Sequence, residues 1–404
     1  MIPRRFSEQE RFGMEESMRV LYVAPRYHTN QTAVMEGWKS AGDEVCFLAH
    51  YAGRTEDYSV VRPEIIGYSR LFLLLQAVYL RLAGKKSEYA ADMKLKCGFP
   101  PVRKLYKKMK QFRPDVVITR ERSVYSIVVT FLCRLKNWPV ILYYQSPLYE
   151  KRKESFVYRV LYALLPQYSI TPVRRSKRFL LQKEKPEKVY FIPFLMKPQL
   201  SPEEKTWFQD GRINLFCIGK YQKRKNHMLM IRTAARLSEK YPVHLVIAGE
   251  VSNSFQEAYY EELNRYVEKE GLRNLVELRK NLSRKEVFER YRRSDVFVLP
   301  SSDEPAAVSH LEAMAFSLPV ISGDDNGTAD YIENGRNGYI FRDQDAEDLY
   351  RKIEKIIEKP ENVQNMGAKS YELVLKNHQF SLYKETILEI LRKMKEETEI
   401  KEKK

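Results

Sequence analysis

Residues 295–322 read DVFVLPSSDEPAAVSHLEAMAFSLPVIS. Two short apolar runs, Val296–Leu299 and the one opening at Leu318, flank a polar loop and a stretch of helical composition. The runs are continuously apolar rather than alternating, which marks strands buried on both faces, as in a parallel sheet covered by helices. The stretch therefore reads as strand, loop, helix, strand. Pro305 is expected at the first helical position, where a missing N–H costs nothing. The amides of Ala306, Ala307 and Val308 would then point out of the helix start and, with the helix dipole, suit an anion. Glu304 would stand at the helix mouth and Glu312 about two turns in. That separation suits two acceptors gripping hydroxyls at opposite ends of one elongated ligand. The plainer alternative is a surface helix with two ordinary glutamates.

The same alternation extends in both directions. Upstream lie INLFCIG (213–219), a helix near 227–240, VHLVIAGE (243–250), a helix to about 271, LVELR and a helix near 284–293. The first half has its own series: RVLYVAP (19–25), a helix near 32–41, EVCFLAH (44–50), DVVIT (115–119), a helix near 124–135 and PVILYY (139–144). A helix near 154–164, YSITP (168–172) and KVYFIPF (188–194) complete it, and a basic, helical insert near 62–111 interrupts it. The expected fold is α/β, with two Rossmann-like, doubly wound domains in tandem facing a central cleft. The expected boundaries are 1–17 for an extension, 18–200 and 201–380 for the domains, and 381–404 for a C-terminal helix that could cross back to the first domain. MKPQLSPEEKTWFQDGR (196–212) is the linker candidate, and the last ten residues read as a frayed helix end.

The chain has 404 residues and a formal net charge of +17. Residues 1–200 carry 36 basic and 18 acidic side chains, against 34 and 35 in the remainder, so the whole excess lies in the first half. That asymmetry points to an anionic partner there, or to a lysine-rich solvated surface. Basic patches come without a recognition motif, so nucleic acid is not expected. Four scattered cysteines and six scattered histidines give neither a disulfide framework nor metal-ligand spacing, and fit a reducing cytoplasm. No bound metal and no cofactor are expected. The longest apolar run, LFLLLQAVYL (71–80), is about half a membrane span and reads first as a core helix, otherwise as a helix lying on a membrane surface.

Ligands of such sheets bind outside the carboxyl ends of the strands. A second constellation lies at such an end: CIGKYQKRKNH, with Gly219, Lys220, Lys223, Arg224 and Lys225 at a strand–helix turn suited to a diphosphate. These residues carry a resemblance. The second half, from about 213 to 349, resembles the donor domain of retaining glycosyltransferase family 4, of GT-B fold, and especially its bacterial cell-surface glycan members. Glu304-x7-Glu312 is similar to the family's E-x7-E motif, GKYQKRKN to its diphosphate-binding turn and GTADYIENGRNGYIF to its following glycine-rich segment. The first half agrees with it in strand–helix order.

The resemblance implies a metal-independent enzyme that transfers a sugar from a nucleotide diphosphate, UDP- or GDP-linked, to a glycan or lipid-linked glycan with retention of configuration. It implies that Lys220 and Lys225 bind the diphosphate, Glu304 the sugar hydroxyls, Glu312 the ribose, and the backbone near Ala306 and Ala307 the phosphate or sugar. Where the family has Phe-Gly after Glu-Pro, this chain has Ala306-Ala307. Gln145 stands at about the place of a usual histidine, and the glycine-rich loop after the first strand is replaced by RYHTNQT, offering His28, Thr29, Asn30 and Gln31 as acceptor or sugar contacts. The basic stretch 68–110 would meet anionic lipid at the inner face of the cell membrane. A sugar-nucleotide epimerase or phosphorylase on the same fold, and a weakly active or non-catalytic nucleotide-sugar binder, are the alternatives.

Overall fold

A computed structural model describes residues 17–53, 56–82 and 93–402. All but one residue of the expected N-terminal extension lies outside them. Seven strands form the first sheet, in the order β3-β2-β1-β4-β5-β6-β7: β1 (Arg19–Ala24), β2 (Glu44–Ala49), β3 (Glu64–Ile65), β4 (Val116–Arg120), β5 (Val140–Tyr143), β6 (Tyr168–Thr171) and β7 (Val189–Phe191). Six form the second, in the order β10-β9-β8-β11-β12-β13: β8 (Ile213–Ile218), β9 (Val243–Gly249), β10 (Val276–Lys280), β11 (Val296–Leu299), β12 (Val320–Gly323) and β13 (Gly338–Phe341). Every strand pairing in both sheets is parallel. The strand order reverses beside β1 and β8, and at such a point the loops diverge and leave a crevice.

In the first domain, α1 (Thr32–Ser40) lies on one side of the sheet, and α3 (Val102–Phe112) and α4 (Val124–Lys136) pack on the other. α5 (Phe156–Leu164) leans on α4, where Arg134 donates to the carbonyls of Ala163 and Leu165. The second domain adds α6 (His227–Ser238), α7 (Ser254–Lys269), α8 (Arg284–Arg293), α9 (Ser309–Ala315), α10 (Ala346–Ile357) and α11 (Pro360–Asn377). The final helix, α12 (Phe380–Glu402), returns to the first domain. Its Tyr383, Ile387 and Ile390 complete the core beside Val20, Tyr22 and Trp38. Tyr383 and Tyr22 share a hydroxyl hydrogen bond of 2.9 Å, and Lys384 reaches the nearly buried Asp43.

One expectation fails here. The apolar run 71–80 forms α2 (Arg70–Leu82), but not as a core helix: of its residues only Gln76 is buried, while Leu71, Leu74, Leu75 and Val78 are exposed and Leu82 is 82% exposed. A run with a single polar residue, Gln76, carries too little periodicity to show which face packs. The linker candidate, in turn, is part of the second domain's wall. Leu200 enters its core, Trp207 lies against Gly367, and Lys205 is buried with its ammonium on the Arg292 carbonyl at 3.0 Å. Its apolar and long side chains have somewhere to go, which the Pro-rich composition conceals.

Candidate functional site

The second domain's face of the crevice is built from the turn after β8 and the loop after β11. Tyr221, fully buried, donates to the carbonyls of Ile247 (3.1 Å) and Arg279 (2.8 Å) and pins the first turn to the sheet. Gly249 at the end of β9 permits this, since a Cβ there would stand 2.3 Å from the Gly219 carbonyl. Lys223–Lys225 then form one 3-10 turn, closed by Asn226 in the left-handed region at φ 52°. The Asn226 amide donates to Pro300 O at 2.8 Å and Ser302 Oγ at 2.7 Å, and Ser302 N donates to Arg224 O at 2.8 Å. The basic turn and the acidic loop are thus one assembly.

Its centre is Glu304. The carboxylate is 11% exposed, accepts from Arg224 at 3.0 Å and forms an ion pair with the equally buried Lys225. Arg178, from the first domain, pairs with the neighbouring Asp303 at 2.8 Å. Lys220 lies apart from this cluster, half exposed and paired with Glu250 at 3.1 Å.

The helix expected at Pro305 begins only at Ser309. Residues 304–307 pair instead with 325–328: Glu304 N donates to Asp325 O at 3.0 Å, Gly327 N to Glu304 O at 2.9 Å and Thr328 Oγ1 to Ala307 O at 2.8 Å. The Ala307 amide, expected to be free, donates to Asn326 Oδ1 at 3.3 Å. Tertiary pairing has taken the first turn of the expected helix. Gly327 is required at this contact, because a Cβ would lie 2.0 Å from the Pro305 carbonyl. Ala306 and Val308 border the loop, half-buried. Glu312 falls in the first helical turn rather than the second. There it accepts from the buried Tyr291 hydroxyl at 3.1 Å. Burial pushes its carboxyl up, with Arg284 and the Tyr291 bond acting in the opposite direction.

The first domain contributes the loop after β1 and the ends of β4 and β5. His28 lies against the Arg26 guanidinium at 3.3 Å. Burial, then Arg120 and Arg26, hold its ring down to about 2, so it is neutral at any working pH. Thr29, Asn30 and Gln31 form a 3-10 turn ahead of α1. The side-chain oxygens of Asn30 and Gln31 are buried and without a hydrogen-bond partner among the described residues. Gln145, half-buried, donates to the Tyr143 hydroxyl at 3.2 Å. Around this face the domains are locked together. Tyr331 donates to Pro172 O (2.8 Å) and accepts from Phe194 N (3.0 Å), while Lys177 pairs with Asp324 and Arg174 with Asp330. Part of the first half's basic excess is therefore spent on the carboxylates of the second. Among the described residues no group of three or more His, Cys, Asp or Glu could hold a metal ion.

Residues 202–373 match the family of Glycosyl transferases group 1. That segment holds the whole β8–β13 sheet, the basic turn and both glutamates. Over 193 residues the chain is 29% identical to Spore coat protein SA of Bacillus subtilis, covering 45% of this chain and 49% of that protein. Over 187 residues it is 30% identical to the putative glycosyltransferase EpsD of the same organism, covering 46% and 47%. The chain spans about half the length of these curated relatives. Among solved structures, a glycosyltransferase from Rickettsia africae aligns over 93% of this chain and 98% of its own, with TM-score 0.71 and 15% identity. Anabaena Alr3699/HepE in complex with UDP and glucose aligns over 93% and 100%, with TM-score 0.66 and 14% identity. At such identity these neighbours speak for the fold, which is that of two facing Rossmann-like domains as in GT-B glycosyltransferases.

Some residues that shape this site escaped the sequence reading. Arg224 was visible only as one of four basic residues, although it and Lys225 both hold Glu304. Asn226, Asp325 and Asn326 shape the loops; an Asx-rich run directly after β12 was the available signal. Arg120, in the first domain, gave none.

Proposed function

We propose that the chain is a retaining glycosyltransferase that moves a sugar from a nucleoside diphosphate, UDP before GDP, to a hydroxyl of a glycan or lipid-linked acceptor. The observation that carries this reading is the buried Glu304 carboxylate held between Lys225 and Arg224, at the strand-order reversal of a domain matching group 1 glycosyl transferases. UDP is preferred because a neighbour of the same fold is bound to UDP and, in another structure, to UDP-glucose. In the reaction the bond between the anomeric carbon and the β-phosphate oxygen breaks. The acceptor oxygen bonds that carbon on the same face and passes its proton to the departing phosphate. Lys225 and Arg224, with Lys220 at the rim, neutralise the charge gathering on the diphosphate. Glu304 orients sugar hydroxyls and Glu312 the ribose. No enzyme nucleophile is required, in contrast to glycosidases with two close carboxylates.

UDP is expected to raise the thermal unfolding midpoint, more than GDP, dTDP or ADP, and Glu312→Ala and Lys225→Ala are each expected to abolish the shift. A folded sample that no nucleotide stabilises would count against the donor site.

The acceptor side favours docking on an anionic bilayer from the cytoplasmic face. α2 exposes six large aliphatic side chains between Arg70 and Arg81 or just beyond, and α5, preceded by Lys151, Arg152 and Lys153, exposes Phe156 (73%), Val157 and Val160. Apolar faces with basic flanks suit the boundary between headgroups and acyl chains. No helix among the described residues is long and apolar enough to cross a membrane. Phosphatidylglycerol-containing vesicles are expected to sediment the protein at low salt, severalfold less for the pair Leu74→Asp and Leu75→Asp, and less again at high salt. Sedimentation indifferent to lipid charge and to these substitutions would rule the docking out.

A further inference from the structure

Sugar transfer requires Lys225 and Arg224 to face the donor's diphosphate, yet in the nucleotide-free protein both face Glu304. Arg224 Nη1 donates to Glu304 Oε2 at 3.0 Å, and the Lys225 ammonium donates to the same oxygen. One oxyanion oxygen between an ammonium and a guanidinium is the arrangement that a phosphate oxygen would take. Water screens the contact poorly, because the Lys225 and Glu304 side chains are each only 11% exposed.

The partners are not held alike. The turn that carries the cations is tied to the β11 loop through the Asn226 amide, and Ser302 N donates to Arg224 O. The Lys225 stem lies along Gly219, where a Cβ would stand 3.1 Å from Lys225 Cδ. The Glu304 carboxylate, by contrast, has no hydrogen bond or ion pair among the described residues beyond those two cations. Its backbone is anchored, since Glu304 N donates to Asp325 O and Gly327 N to Glu304 O. Rotation about its side-chain bonds is therefore enough to carry the carboxylate away while the loop and the cations stay in place. A diphosphate and a carboxylate repel each other, so both cannot occupy one position between the same two cations.

We propose that Glu304 Oε2 is an internal stand-in for a phosphate oxygen. Without nucleotide it occupies the place between Lys225 and Arg224; the arriving diphosphate displaces it, and the released carboxylate turns to the donor's sugar hydroxyls. The inference rests on the transfer reading and adds a regulation of the same site. A free sugar meets a carboxylate that is already engaged, and a lone anion must first break the pair. The consequence is a weakened grip on the nucleotide, because the cations are available for only a fraction of the time.

The test is calorimetric titration of UDP into the full chain and two variants. Glu304→Gln keeps the shape of the side chain and removes its charge. It is expected to bind UDP about tenfold more tightly than the unaltered protein, while hydrolysing UDP-glucose more slowly. Glu304→Asp keeps a charge beside the buried lysine but draws it back by one methylene. Its UDP affinity is expected to fall between the other two, and decides alone if Glu304→Gln does not fold. The gain is expected to persist at high salt, where the pull of a more distant charge is screened. Unchanged UDP affinity in the variants, or a gain that high salt removes, would overturn the proposal. So would weaker binding, which would mean that Glu304 holds the cations in place for the diphosphate. Absence of UDP binding in the unaltered protein and in both variants would instead overturn the transfer reading, and is a separate result.

Discussion

Lys225→Ala is expected to slow turnover of the sugar nucleotide by about 10² to 10³-fold, the usual loss when one preorganised group facing developing charge is removed. Lys225 is buried to the same degree as the carboxylate it holds, so its ammonium works in a site with little water to screen it. Its position is fixed from both sides, by the 3-10 turn whose closing residue, Asn226, is tied to the β11 loop, and by Glu304 itself. The loss should appear in both KM and kcat, because the diphosphate is already charged when it binds and gains further charge as it departs. Arg224→Ala should cost less, since that side chain is 39% exposed and its attraction is screened. The measurement is UDP release during slow transfer to water, which requires no acceptor. Equal rates for the unaltered protein and Lys225→Ala would remove Lys225 from the chemistry and leave it a structural partner of Glu304.

The second large effect concerns stability. Asp295, fully buried at the start of β11, accepts from Phe208 N (2.8 Å), Asn214 N (2.8 Å) and Asn214 Nδ2 (3.2 Å). Lys205 lies near enough for Asp295 to favour its charged form, although burial brings its ammonium down to about 8. Asp295→Ala would strand two backbone donors and a buried cation, and is expected to destabilise the second domain by about 3–5 kcal/mol. Combining it with Lys205→Met should return part of that loss, because the stranded charge is then gone. Urea unfolding followed by tryptophan fluorescence reads both, Trp207 being close by. A double variant no more stable than Asp295→Ala alone would show that the backbone donors, not the lysine, carry the penalty.

The two sheets were legible because buried parallel strands leave long apolar words such as INLFCI and VFVL, and few other structures require them. The basic turn and Glu304 were legible for a related reason: ligand groups in this architecture stand directly after strands, so position alone selects them. Three features were not. Nothing local to Pro305 reveals that residues 325–328 will claim the amides and delay the helix to Ser309. The leucines of α2 look like core until one finds them exposed among the described residues. Arg120 reads as an ordinary charge at a strand end, yet it is buried with its guanidinium against the ring of Tyr143, on β5. For the Pro305 loop and for Arg120 the deciding partner lies about 20 residues away.

The return of α12 to the first domain has a consequence for how the protein is made. Tyr383, Ile387 and Ile390 supply one wall of a core whose other walls are built from residues 18–195. During synthesis the first domain emerges first yet waits, with Tyr22 and Trp38 uncovered, until nearly four hundred residues have been joined. The second domain needs no such help from the last helix and can be finished earlier. Birth order and completion order are therefore reversed. For that interval the nascent first domain exposes an apolar seam that a chaperone, or an unwanted neighbour on the same polysome, can occupy.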